Sequence, residues 1–476
     1  MKINRQILRG YDIRGEVGKD INAEIVRHFG KAYGTYVLNK LGSQKVIIGC
    51  DCRLTSEEYK VAFIEGVNST GLNVIDIGLV LVGHIYWSQY HFKTPAAAMI
   101  TASHNPKEFN GIKMSNNYSE AMVKDELNEL TDIVENEQYI KSDKIGSVEE
   151  INIYKIYNED LTKRFNIRKF KVVVDPSCST AGAIVPDLLR LAGCEVIESN
   201  CNLDGSFPLG VADPTEEIVA KRLAKKVMEE KADLGFSYDS DGDRMGIVDE
   251  KGTIIWNDVL VALFAVGVLS RHPGAKIMYN TLCSKLVAET INKYGGVPFM
   301  WRTGHGFLKK KNQEVRAAFI GELSGHFFFS ADFYNHDDGC YASLALLDYL
   351  TKTNQSLNQA LSALPQYISS PEIKLYCPDD KKVQLMEKLS PILKQDYPDA
   401  EVVDDERAGD GVRLELADSM FVIRYSQNGP YITIKFEAKT QEQYEKLKKY
   451  IRELLQKFSE VDWKNEIRTN VESLLK

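Results

Sequence analysis

Lys171-Val172-Val173-Val174-Asp175 opens the stretch that decides the architecture. It reads as a buried strand. A helical stretch from Ile184 to Leu191 follows, then Gly193, then a second apolar run, Glu195-Val196-Ile197. The order is strand, helix, glycine stop, strand, with the glycine suited to end the helix in the left-handed region. Two other stretches repeat it. Lys45-Val46-Ile47-Ile48-Gly49-Cys50 leads through an amphipathic segment and Gly71 to Val74-Ile75-Asp76-Ile77. Lys276-Ile277-Met278-Tyr279-Asn280 leads through Leu286 to Tyr294 and Gly295-Gly296 to Val297-Pro298-Phe299-Met300-Trp301. Strand–helix–strand units build mostly parallel sheets. Three copies predict three similar α/β domains rather than one large sheet.

The last hundred or so residues follow another rule. Val412-Arg413-Leu414-Glu415-Leu416 and Tyr431-Ile432-Thr433-Ile434-Lys435-Phe436-Glu437 alternate with period two, and a turn signal sits at Asn428-Gly429-Pro430. This predicts an antiparallel meander, followed by a charged helix over 441–458. The fold class is therefore α/β, three similar α/β domains and a C-terminal α+β domain. The expected limits are 1–152, 153–255, 256–368 and 369–476, the last boundary falling at Ser369-Ser370-Pro371.

The 476 residues agree with three or four domains. A formal net charge of −8 argues against nucleic acid as a partner, because a phosphate backbone requires a clustered basic face. The longest apolar run, Val259 to Leu269, is far short of the roughly 20 residues that span a bilayer, so it predicts a buried helix and no membrane partner. No long apolar segment follows Met1, and the eight cysteines are scattered, with no second pair or histidine cluster to complete a zinc set around the Cys50-x-Cys52 pair. Both features lead to the expectation of a cytoplasmic protein without a leader.

Four constellations carry chemistry. Thr101-Ala102-Ser103-His104-Asn105-Pro106 follows an apolar run, with Asn110-Gly111-Ile112-Lys113 just beyond. A serine leaving a strand stands at a sheet's carboxyl edge, where α/β sites form; by spacing alone it is also an ordinary turn. Tyr238-Asp239-Ser240-Asp241-Gly242-Asp243-Arg244 crowds three carboxylates, a repulsion that a hard divalent cation removes. An EF-hand needs glycine at its sixth position, where Arg244 stands, and the flanks read as strands. Mg²⁺ suits the loop better; a solvated acidic turn is the plain alternative. Gly321-Glu322-Leu323-Ser324-Gly325-His326, preceded by Arg302-Thr303-Gly304-His305-Gly306, pairs a carboxylate and a hydroxyl suited to sugar hydroxyls, or is a turn. Arg424-Tyr425-Ser426-Gln427-Asn428-Gly429 reads as a phosphate-binding hairpin tip, or merely a polar one.

Together with Arg9-Gly10-Tyr11-Asp12-Ile13-Arg14-Gly15, these motifs in this order resemble the α-D-phosphohexomutases over nearly the whole chain, most closely the bacterial phosphomannomutase/phosphoglucomutase branch. The resemblance implies mixed sheets around a central cleft. It also implies reversible phosphoryl transfer between C1 and C6 of a hexose phosphate through a hexose 1,6-bisphosphate, which also serves as activator. Ser103 would carry the phosphoryl, with His104 beside it. Asp239, Asp241, Asp243 and a phosphoserine oxygen would hold Mg²⁺. Arg14, Lys113 and Arg244 would position or neutralise the phosphoryl group, and His326 and Lys113 are candidates for acid and base. Tyr11, His305, Glu322, Ser324 and His326 would contact the sugar. Arg424, Ser426, Gln427 and Asn428 would hold the distal phosphate. The expected partner is a hexose phosphate, and the expected assembly a monomer or dimer. Two departures bear on the sugar. The family's phosphate loop commonly reads Ser-Asn-Thr where this chain has Ser426-Gln427-Asn428, and a substrate lysine of close relatives aligns with Leu282. A glucosamine phosphate mutase, a phosphatase and a non-catalytic sugar-phosphate sensor are the alternatives.

Overall fold

The computed structural model describes residues 1–427 and 429–475. Four sheets follow one another along the chain. The first has seven strands, in the order Ile13–Glu16, Phe109–Asn116, Ala97–Ile100, Lys45–Cys50, Asn73–Leu79 and Val148–Glu150, with Glu120–Ala121 added to Phe109–Asn116. The second orders Ile254–Ile255, Met245–Asp249, Leu234–Tyr238, Lys171–Asp175 and Glu195–Glu198. The third orders Val297–Trp301, Lys276–Asn280, Phe319–Gly321 and Phe327–Phe328.

The repeat read from sequence is present in all three. Lys45–Cys50 pairs in parallel with Asn73–Leu79, Lys171–Asp175 with Glu195–Glu198, and Lys276–Asn280 with Val297–Trp301. Two of the intervening helices end as the sequence suggests. Gly193 (φ 94°) and Gly295 (φ 74°) follow the C-caps Ala192 and Tyr294. Their N–H groups bond to Arg190 and Asn292, and the next residues bond back to Leu189 and Ile291. Four terminal carbonyls are thus satisfied. Gly71 sits one residue farther out, beyond Ser69 and Thr70, and closes its helix more loosely.

The repeat extends further than the sequence pattern. On its other side each first strand takes a second parallel neighbour: Ala97–Ile100, Leu234–Tyr238 or Phe319–Gly321. The chain then reverses into an antiparallel strand: Phe109–Asn116, Met245–Asp249 or Phe327–Phe328. The serine, aspartate and Glu-x-Ser motifs all occupy this same reversal at a carboxyl edge. The mixed sheets follow from that reversal.

The fourth sheet is wholly antiparallel. Its order is Ile368–Ser369, Tyr431–Ala438, Ser419–Tyr425, Gly411–Glu415 and Glu401–Val403, and Ile373–Tyr376 also pairs with Tyr431–Ala438. The helices Lys382–Asp396 and Gln441–Leu455 cover it. The apolar run 259–269 lies inside the buried helix Asn257–Arg271. No described helix is long and apolar enough to cross a membrane. All eight cysteines are unpaired.

Candidate active site

The serine loop is built around one arginine. Arg53, buried and ion-paired with Asp51 at 3.2 Å, donates to the carbonyls of Ser103 (2.5 Å), Asn105 (2.7 Å), Pro106 (2.9 Å) and Phe109 (2.9 Å). The Thr101 hydroxyl accepts from Ser103 N–H at 2.9 Å and donates to Asp51 at 2.7 Å. Ser103 is thereby held at φ 50°, a left-handed conformation that side chains other than glycine seldom adopt. Arg14 supports the loop from the first strand, bonding Ala102 O at 3.2 Å and Asn105 Oδ1 at 2.7 Å while Asp12 grips its fork. Burial works against the Arg14 cation, and Asp12 outweighs it, so its pKa lies above the ordinary arginine value.

The aspartate loop meets this serine across the cleft. Ser103 Oγ donates to Asp239 Oδ2 at 2.9 Å and lies 3.1 Å from His104 Nδ1. Asp239, Asp241 and Asp243 are fully buried, with ligand atoms within 4.8 Å of one another. Asp241 Oδ1 and Asp243 Oδ1 have no hydrogen-bond partner. Lys113 lies 2.7 Å from both Asp241 and Asp243. Burial, then the charges of Asp243 and Asp241, push the Asp239 carboxyl well above its ordinary value. Three converging hard oxygen donors with orphaned lone pairs fit a small divalent cation.

The aspartate loop and the Glu-x-Ser loop are stitched together. Arg244 and His326 form an isolated β-bridge, and Arg244 Nε donates to His326 Nε2 at 3.1 Å. Gly325 makes this close approach possible. It holds φ 94°, and a Cβ there would meet Met245 O at 2.7 Å. His326 Nδ1 faces Asp337 at 2.7 Å. Glu322 accepts from the Ser324 hydroxyl (2.9 Å) and from Gly304 N–H (3.0 Å). Burial raises the Glu322 carboxyl, and it drives the His104 and His305 imidazoles well below their usual range, helped at His104 by Arg244 and Arg14.

One cavity joins these parts. Tyr11, His104, Arg244, Glu322, Ser324, His326, Arg424, Ser426 and Gln427 line it, so all four sheets contribute. Ser103, Arg14, Lys113 and the three aspartates are buried behind its lining, joined to it through His104, which touches Ser103, and Arg244, whose backbone N–H bonds Asp239. His305 stacks edge-on behind Tyr11, with ring centroids 4.2 Å apart. Leu282 is buried in the wall. Asn428 lies outside the described residues. Arg424 corrects one expectation: it belongs to the strand Ser419–Tyr425 and not to the hairpin tip. Asp410 holds its guanidinium at 2.9 and 2.5 Å.

Sequence reading missed Arg53, Asp51, Asp337, Asp410, Lys374 and Thr433. A repeated Asp-x-Arg, at Asp12–Arg14 and Asp51–Arg53, was the available signal for the first two.

The four-sheet architecture and its motif-bearing reversals define a class. Residues 5–141, 153–252 and 256–367 match α/β/α domains I, II and III of phosphoglucomutase/phosphomannomutase. The chain belongs to this family of α-D-phosphohexomutases. It is 36% identical over 450 residues to phosphomannomutase/phosphoglucomutase of Pseudomonas aeruginosa, covering 94% of this chain and 95% of that one. It is 31% identical to phosphoglucomutase of Neisseria gonorrhoeae, covering 97% and 99%. A crystal structure of a phosphoglucomutase/phosphomannomutase family protein from Burkholderia thailandensis superposes with TM-score 0.86 at 31% identity, covering 96% and 98%.

Proposed function

We propose that the chain moves a phosphoryl group reversibly between O1 and O6 of a hexose phosphate, mannose or glucose, through phosphorylated Ser103. The observation that carries this reading is the contact of Ser103 Oγ with Asp239 at 2.9 Å, directly behind His104 and Arg244 in the lining of a cavity that Arg424 also lines. A reactive serine beside a cation site, facing a separate phosphate grip, suits a substrate that presents either end in turn.

In the first half-reaction the Ser103 O–P bond breaks and the phosphorus bonds the free sugar hydroxyl. His326 or a neighbouring base takes the hydroxyl proton. The hexose 1,6-bisphosphate then reverses, and its other phosphoryl returns to the Ser103 oxygen as the proton is given back. Arg14, Lys113 and Arg244 act as fixed positive charges, since phosphoryl transfer depends mainly on position and charge. Lys113 suits that role, because Asp241 and Asp243 overcome its burial and hold its pKa well above the usual lysine value. Asp239, Asp241 and Asp243 would hold Mg²⁺, which neutralises phosphoryl charge when bound. Tyr11, Glu322 and Ser324 bind sugar hydroxyls, with His305 supporting Tyr11. Arg424, Ser426 and Gln427 grip the distal phosphate.

This assignment includes the four domain limits given above, hexose bisphosphate as activator, a cytoplasmic setting and a monomer or dimer. A coupled assay with glucose 1-phosphate, mannose 1-phosphate and N-acetylglucosamine 1-phosphate tests the activity. Peptide mapping should find phosphate on Ser103, and Ser103→Ala should lose activity on the order of a thousandfold. Wild-type turnover by Ser103→Ala would overturn the reading.

A further inference from the structure

The part of the cavity wall that the fourth sheet supplies carries a row of side chains, two of which the motifs did not predict. Thr433 lies in the central strand Tyr431–Ala438 of the fourth sheet. Its cross-strand partner on one side is Lys374, and on the other Arg424. Residues directly opposite in neighbouring strands point to the same face and stand about 5 Å apart. Lys374, Thr433 and Arg424 therefore form one line across three strands, about 10 Å long, and all three line the cavity.

Two members of this row lack partners. Thr433 is 1% exposed, and its hydroxyl has no hydrogen bond. A buried hydroxyl without a partner costs about 1–3 kcal/mol, so a fold keeps one for a reason. The Lys374 ammonium forms no hydrogen bond or ion pair with any described residue; it lies 5.9 Å from the centre of the Tyr431 ring. Burial disfavours its charge, but Tyr431, Glu372 and Asp213 outweigh burial and hold its pKa above the ordinary lysine value. It enters the cavity as a cation. Arg424, by contrast, already has two of its donors committed to Asp410.

We propose that Lys374 and Thr433 complete the distal phosphate site, binding the phosphate monoester that is not being transferred, side by side with Arg424. The proposal rests on the hexose phosphate reading above and adds two ligands to it. A phosphate dianion at the middle of the row takes the Thr433 hydroxyl as donor and is flanked by two cations. Arg424 alone, half-neutralised by Asp410, is a weak anion site. Lys374 adds a second cation to the row. It also does so in a cavity where Leu282 supplies none.

Three variants test this: Lys374→Met, Lys374→Arg and Thr433→Val. KM and kcat are measured with glucose 1-phosphate and glucose 6-phosphate, and Kd for glucose 1-phosphate by calorimetry. Lys374→Met should raise KM and Kd about tenfold or more for both substrates, as loss of a charge-assisted bond implies, and kcat should change less. Lys374→Arg should recover most of the affinity. Thr433→Val should raise KM about threefold to tenfold while leaving the melting temperature of the free protein equal or higher, because the hydroxyl has no partner to lose. KM and Kd within twofold of wild type in both Lys374→Met and Thr433→Val would overturn the proposal. So would equal impairment of Lys374→Met and Lys374→Arg, which would make the role steric. Wild type that binds glucose 1-phosphate but does not isomerise it would instead refute the reading on which the proposal rests.

Discussion

Ser103 pays in backbone strain for its position, and Arg53 explains why the strain persists. A left-handed non-glycine residue costs about 1–2 kcal/mol. Four carbonyls bound to one guanidinium over-determine the loop, so Ser103 has no cheaper conformation within reach. The carboxylates opposite store a second unfavourable term. Lys113 pairs with Asp241 and Asp243, whereas Asp239 has its nearest cation, Arg244, at 3.9 Å. Asp239→Asn should therefore have opposite effects on stability and activity. In chelator its melting temperature should equal or exceed wild type, because a like-charge repulsion is gone. With Mg²⁺ its kcat should fall at least about a hundredfold. Undiminished kcat would show that the loop is only a buried acidic turn. Every motif of this site was legible, because each packs unusual residue types into a few consecutive positions. Its supports were not. Arg53 and Asp410 are single charged residues whose meaning depends on partners 50 and 14 positions away.

At the scale of elements, the strand–helix–glycine–strand repeats were legible because hydrophobic period and a glycine stop coincide. Ile13–Glu16 and Ile373–Tyr376 escaped notice because they are four residues each and carry charged residues within them. The glycine stops admit a clean test. A Cβ at Gly193 or Gly295 would meet no atom within 4 Å, so the only obstacle to a side chain is the positive φ. Gly193→Ala and Gly295→Ala should each destabilise by about 1–2 kcal/mol in urea unfolding. No change in midpoint would mean that the helix ends relax without cost. A second element-scale prediction concerns Asp338, which caps the helix Gly339–Thr353 through Tyr341 N–H at 3.0 Å and accepts from Tyr157 at 2.7 Å. Burial lifts its carboxyl to about 6. With a pKa raised above the unfolded value of about 3.9, its contribution is fully present below pH ~4 and lost as pH rises through about 6. Asp338→Asn keeps an acceptor oxygen and cannot ionise. Its stability relative to wild type should rise between those pH values and level off above, by at most about 3 kcal/mol. A difference that is flat with pH would refute the assignment.

The molecule as a whole is two bodies joined by a polar seam. One apolar core runs unbroken through the first three sheets, from Ile47 through Val172 and Leu263 to Leu346. The fourth sheet has its own core around Phe421, Phe436, Leu389 and Ile451. Val422 reaches into the larger core. Much of the remaining joint is polar. Arg413, 1% exposed, donates to the carbonyls of Thr281 (2.5 Å) and Cys283 (2.6 Å) and pairs with Glu415 at 2.6 Å. Lys285 reaches Glu415 at 2.6 Å, and the Thr281 hydroxyl reaches Arg407 O at 2.6 Å. Polar interfaces of this kind permit relative motion, and Arg424 lies on the fourth-sheet side of this seam. Arg413→Met keeps the apolar length of the side chain and removes both carbonyl bonds and the ion pair. Breaking a buried pair costs about 3–5 kcal/mol, and in a two-body molecule that loss falls on the docking of the smaller body. Thermolysin should then cut faster around residues 367–372, where the chain passes from one body to the other. KM for glucose 1-phosphate should rise about tenfold, because a wall that docks less often presents Lys374, Thr433 and Arg424 less often. The purified variant should still carry phosphate on Ser103, since the serine loop belongs to the first sheet and so to the larger body. If cleavage and KM both match wild type, the seam is not what sets the position of the fourth sheet. If Ser103 also loses its phosphate, the two bodies are coupled more tightly than their separate cores imply.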